Sequence, residues 1–107
     1  YALAGLKDII QNESSFKLQL LMFIGLNIVA WVLPISIHLQ MILSLSLFIP
    51  LMAEVANSAI ERVVDLVTGE YHELAKKAKD AGASLVFLSL VLLGLIWVCV
   101  LYIGLIK

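Results

Sequence analysis

The segment EVANSAIERVVD, residues 54–65, places Glu54, Asn57, Glu61 and Asp65 at offsets of three, seven and eleven. At 100° per helical residue these four side chains share a stripe less than about a quarter of the circumference wide. Carboxylates in such a stripe can take a proton, hold a divalent cation or pair with basic side chains. Glu54 is the sharpest case, because Leu51, Met52, Ala53, Val55 and Ala56 surround it in sequence. An acidic residue at the centre of a spanning helix costs about 2.5–3.5 kcal/mol, less near the boundary, so it points to function before structure. A carboxylate among apolar neighbours suits a general base that deprotonates a hydroxyl near neutral pH. The plainer alternative is that these carboxylates pair with Arg62 or with the lysines at 76–79. It weighs most for Asp65 and least for Glu54, which has no basic neighbour in the apolar run.

A second acidic position, Glu13, lies in NESSFK, residues 12–17. If it met Glu61, within one protomer or across a subunit interface, the pair would offer carboxylate oxygens to Mg²⁺, which takes one or two carboxylates plus substrate phosphates. No glycine-rich phosphate loop, protein-kinase signature, zinc motif or nucleophile elbow is present. A nucleotide site would therefore be unconventional. His72 reads on its own as a solvated side chain, His38 has no partner for metal ligation, and the lone Cys99 in an apolar run reads as a packing residue.

The elements that position these residues follow from composition. With 63% hydrophobic residues in a chain of 107 and a mean hydropathy of +1.08, lipid rather than water is the main solvent. The 36 residues between Lys17 and Glu54 carry no Asp, Glu, Lys or Arg. That is too long for one span of about 20 residues, and Pro34, Ser36 and His38 interrupt it. Spans are predicted at about 18–33 and 39–58, joined by a short hairpin, and a third at about 81–106, with Trp97 and Tyr102 as interfacial anchors. Residues 2–13 space Leu3, Leu6, Ile9 and Ile10 at helical intervals, as in a helix lying on the membrane surface. Thr68-Gly69 ends the second helix, and a polar connection, helical from Glu70, leads to the third.

Lys7, Lys17, Arg62, Lys76, Lys77 and Lys79 fall on one side and the hairpin has no basic residue, so that side is expected to face the cytoplasm. A net charge of −1 gives no field for nucleic acid. The chain begins at Tyr1, without the regions of a cleavable signal peptide, and a few residues are expected to precede it. The fold class is an all-α membrane protein of one domain, 1–107.

NESSFK, EVANSAIERVVD and GEYHELAKKAKDAG (69–82), set in a three-span layout, resemble the small bacterial diacylglycerol kinases. The likeness covers nearly the whole chain. It implies a homotrimer of three-span protomers with composite sites, transferring the γ-phosphate of ATP to the hydroxyl of diacylglycerol at the inner-membrane surface, with Mg²⁺. By motif position, the resemblance makes Glu54 the general base with Asn57 supporting it, and makes Glu13 and Glu61 the metal residues, which also hold ATP. Tyr1, Glu70, Tyr71, His72, Lys79 and Asp80 are implied on the nucleotide. Lys7, Ser15, Phe16, Gln19, Ala83 and Trp97 are implied, with Glu54, on the lipid. Gln19 stands where the best-known members have an acidic residue, and Gln40 where they have a basic one. A related branch phosphorylates undecaprenol, and Ser58 favours diacylglycerol between the two. A non-catalytic scaffold or channel subunit is the alternative of another class.

Overall fold

The computed structural model describes residues 1–107 as helices throughout, ordered by where the sequence denies the backbone a partner. Helix α1 (Ala2–Asn12) leads into α2 (Ser14–Val32) through the single extended residue Glu13, at φ −113°, ψ 110°. The Asn12 amide bonds the carbonyl and carboxylate of Asp8 at 3.0 and 2.6 Å, closing the last turn of α1. Helix α2 stops at Leu33, which is extended because Pro34 follows it. Ser36 then caps α3 (Ile37–Ser46), its hydroxyl accepting from the Leu39 N–H at 3.4 Å. From α3, Gln40 donates back to the carbonyls of Trp31 and Leu33, both at 3.2 Å, supplying partners at the end of α2.

The second span is two helices. Helix α3 gives way at Leu47 to α4 (Phe48–Val67). Pro50 has no N–H for the Ser46 carbonyl four residues earlier, which is the usual cause of such a break. The sequence reading used Pro34 as a stop and passed over Pro50. At the break the Ser46 hydroxyl donates to the Leu43 carbonyl at 2.6 Å and accepts the Trp97 indole N–H at 3.1 Å. Trp97 is thus a half-buried packing residue beside the Ala30, Leu43 and Val100 core, and not the interfacial anchor expected for it. Tyr102 is exposed.

Thr68 ends α4, and its hydroxyl accepts from the Glu70 N–H. Helix α5 (Glu73–Leu101) starts at Glu73 rather than Glu70, because the His72 ring Nδ1 caps it, accepting from the Leu74 N–H at 3.1 Å. A π-helical turn, Tyr102–Ile106, ends the chain against the hairpin. There a β-carbon on Gly104 would come within 2.6 Å of Ile35.

Three helical runs are long and apolar enough to cross a membrane: Ser14–Val32, the broken Ile37–Val67, and Glu73–Ile106. Their outward faces carry Leu18, Leu21, Ile28, Phe87, Leu88 and Leu95 more than half exposed, as a lipid-facing surface does. The buried set includes Ser46, Glu54, Asn57, Ser58 and Ser89. Small and polar residues between helices are the pattern of bundles packed in lipid, where no hydrophobic drive separates helix from solvent. The chain is a multi-pass membrane protein. Helices α4 and α5 form its broadest contact, and that contact positions the acidic stripe.

Candidate functional site

Counting about 20 residues of hydrocarbon from Ile37 puts Asn57 at the opposite boundary. Glu54 then lies a turn inside and Glu61 a turn outside. Glu54 is only 6% exposed, and its carboxylate has no hydrogen-bond or ion-pair partner. Apolar cavities lie on both flanks of its turn. One, of about 340 Å³, is lined by Ile10, Phe16, Phe48, Leu51, Met52 and Val55 between α1, α2 and α4. The other, of about 410 Å³, is lined by Ala53, Ala56, Leu85, Leu88 and Leu92, among others, between α4 and α5. An acyl chain has the chemistry that such walls accept.

One turn along the stripe, the Asn57 side-chain amide donates to the Glu61 carboxylate at 2.9 Å. Its other end, Oδ1, is buried without a partner against Gly82 of α5. Asp65, the last member, is in an ion pair with Lys79 at 2.7 Å. The structural alternative weighed for Asp65 therefore describes its contact here. Glu61 is not paired with Arg62, although the two are adjacent in sequence.

Arg62 leaves α4 on another face. Its guanidinium meets Asp8 of α1 and also donates through Nε and Nη2 to Glu13 Oε1, at 3.2 and 3.0 Å. The Asp8 carboxyl is held below the usual carboxylate range by the hydrogen bond from Arg62 and, next, by that from Asn12. Glu13 thus turns to Arg62 and Glu61 to Asn57, and no group of three metal-ligating side chains converges within the protomer. The donors are nonetheless carboxylate oxygens, with Glu13 Oε2 free of hydrogen bonds. That chemistry fits Mg²⁺, which needs only one or two carboxylates beside phosphate and water, and does not fit a zinc cage.

Glu70, Tyr71, His72, Lys79 and Asp80 line one polar cavity of about 430 Å³ between the end of α4 and the start of α5. Lys76 lines it too, in an ion pair with Asp80 at 2.7 Å. Tyr1 is not part of it and stands fully exposed at the start of α1. Among the residues expected on the lipid, Phe16 is buried in the wall of the α1–α2–α4 cavity. Lys7, Ser15 and Ala83 are exposed. Gln19 is half-buried beside Pro50 and Leu93. Trp97 lies about 21 Å along α5 from Ala83, so the protomer does not gather these residues around Glu54. Sequence reasoning gave no role to Asp8, Gly82 or the Arg62 link to Glu13. Of these only Gly82 had a local signal, a glycine inside a helix facing the stripe.

The family model described as prokaryotic diacylglycerol kinase matches residues 1–101. The chain belongs to the prokaryotic diacylglycerol kinase family. Its similarity to curated members runs nearly end to end. It is 36% identical to the diacylglycerol kinase of Haemophilus influenzae over 103 residues, covering 95% of this chain and 86% of that protein. It is 32% identical to that of Escherichia coli and 34% to that of Pseudomonas aeruginosa, each over 101 residues, covering 94% of this chain and 82% of the relative. As a member of the prokaryotic diacylglycerol kinase family, the chain is a membrane-embedded kinase with a lipid substrate.

Proposed function

We propose that the chain transfers the γ-phosphate of ATP to the hydroxyl of diacylglycerol, giving phosphatidic acid and ADP, at the cytoplasmic face of the bacterial inner membrane. The observation that carries this reading is Glu54, a buried residue whose carboxylate has no hydrogen-bond or ion-pair partner, one turn inside the boundary and flanked by apolar cavities. Glu54 would take the proton of the lipid hydroxyl as its oxygen attacks the γ-phosphorus and the bond to the β-phosphate oxygen breaks. The acceptor is already confined to the bilayer surface, so less entropy is lost in bringing it to the nucleotide.

The polar cavity at residues 65–80 is the place that suits the nucleotide, where Lys79 and Lys76 would exchange their Asp65 and Asp80 partners for its phosphates. Glu61, held by Asn57, and Glu13 would bind Mg²⁺. When bound, the cation neutralises charge on the phosphoryl oxygens. Because Glu13 and Glu61 face different ways in one protomer, a homotrimer with composite sites suits this division. The basic residues gathered at the α1 and α4 end support a cytoplasmic location.

The curated relatives are named diacylglycerol kinases, which favours diacylglycerol over undecaprenol. Purified protein supplied with ATP, Mg²⁺ and each lipid in turn tests the choice. Phosphorylation of diacylglycerol is expected, and phosphorylation of undecaprenol alone would overturn it. Glu54→Gln should lower turnover by about 10²–10⁴-fold while insertion and assembly persist. Unchanged turnover would remove Glu54 as the base.

A further inference from the structure

Arg62 is the single arginine of the chain, and its fork is spent on one place. Nη1 meets Asp8 in the penultimate turn of α1, while Nε and Nη2 both donate to Oε1 of Glu13. Glu13 is the extended residue on which α1 turns into α2, and its own N–H closes α1 on the Ile9 carbonyl at 2.9 Å. The guanidinium therefore grips the corner between the surface helix and the first span from α4, 49 residues away in sequence. A lysine ammonium could not reproduce this planar two-acceptor contact.

The charges matter as much as the geometry. Asp8 offsets Arg62, so the Asp8, Arg62 and Glu13 group carries a net charge of −1 and still attracts a cation. Arg62 occupies Oε1 and leaves Oε2 without a hydrogen bond.

We propose that Arg62 is a positioning residue, which fastens α1 to α4 and orients Glu13 so that Oε2 is presented to the divalent cation. This rests on the reading of Glu13 as a metal residue. Outer-shell partners of a ligating carboxylate typically contribute 10–100-fold in metal affinity. In the full-length protein, Arg62→Ala should raise the Mg²⁺ concentration for half-maximal lipid phosphorylation roughly tenfold, with kcat at saturating Mg²⁺ nearly retained. Arg62→Lys, which keeps the charge and guards against a folding defect, should fall between.

Two measurements do not depend on turnover. Mn²⁺ binding followed by electron paramagnetic resonance should weaken by the same factor, and hydrogen exchange at Ile10 to Glu13 should quicken in Arg62→Ala. Unchanged Mg²⁺ and Mn²⁺ dependence in that variant overturns the proposal, whether or not exchange quickens. If the unmodified protein phosphorylates no lipid, the kinase reading fails by itself, and Mn²⁺ binding together with exchange still decides the role of Arg62.

Discussion

Asn57 Oδ1 rests so closely on Gly82 that a methyl group there would overlap it, while the other end of the same amide donates to Glu61 at 2.9 Å. A residue on α5 with no side chain thereby sets where a carboxylate on α4 points. Asn57 is only 8% exposed, so moving its amide means repacking it between the two helices.

Replacing Gly82 with alanine should therefore act against the ordinary helix preference. In an open helix the change gains about 1 kcal/mol, but forcing a methyl into a packed contact costs about 1–3 kcal/mol. The variant should lose thermal stability in detergent and lose turnover together, because moving Asn57 releases Glu61. An alanine variant as stable and active as the parent would show that the two helices separate freely at this point. Gly94, with open space where its β-carbon would stand, is the control.

The bond from the Trp97 indole to Ser46 at 3.1 Å joins α5 to the break before α4. Trp97→Phe keeps most of the ring and removes the donor. Hydrogen bonds between helices in lipid are worth about 0.6 kcal/mol on average and about 1.7 at most. A small loss of thermal stability with lipid-kinase activity intact is expected. A large loss of activity would instead tie Trp97 to the lipid, as the family resemblance implies.

The three crossings were legible in the sequence because an uncharged run is a one-dimensional signal, and so was the stripe, because its members share one helix. Glu54 is buried as its surroundings in sequence implied. The break at Leu47 was legible in principle, since Pro50 lies within the run, but hydropathy does not register a missing N–H. What the sequence withheld were contacts between helices. Helical spacing spoke against an Arg62–Glu61 pair, since adjacent helical residues point about 100° apart, but nothing local named Asp8 and Glu13 as the partners instead. Trp97 was misplaced for the same reason, since a tryptophan near a helix end is as apt to pack inward on a hydroxyl as to sit at an interface.

Gln40 reaches the Trp31 and Leu33 carbonyls from the far side of the hairpin. Gln40→Leu should leave the end of α2 short of donors and cost about 1 kcal/mol, read as a lower unfolding temperature. The site lies at the other end of the bundle, so Mg²⁺ dependence and turnover should not change. A fall in turnover equal to that of Gly82→Ala would mean that the hairpin, and not the α4–α5 contact, governs the site.

Asp8 gives the docking of α1 a pH dependence whose sign follows from its partners. Its carboxyl titrates below the usual carboxylate range because the hydrogen bonds from Arg62 and Asn12 favour the charged form. A group with a depressed folded value contributes stability above its unfolded value, about pH 4, and loses it as the pH falls through the folded value. Between pH 8 and 5 the attachment of α1 should be constant, and below about pH 4 it should weaken. Hydrogen exchange at Ile10 to Glu13, corrected for its intrinsic pH dependence, follows this directly. Asp8→Asn removes the charge that titrates, so it should start from weaker protection and lose little more on acidification. Two curves of the same shape for parent and variant would place the acid-sensitive contact somewhere other than Asp8.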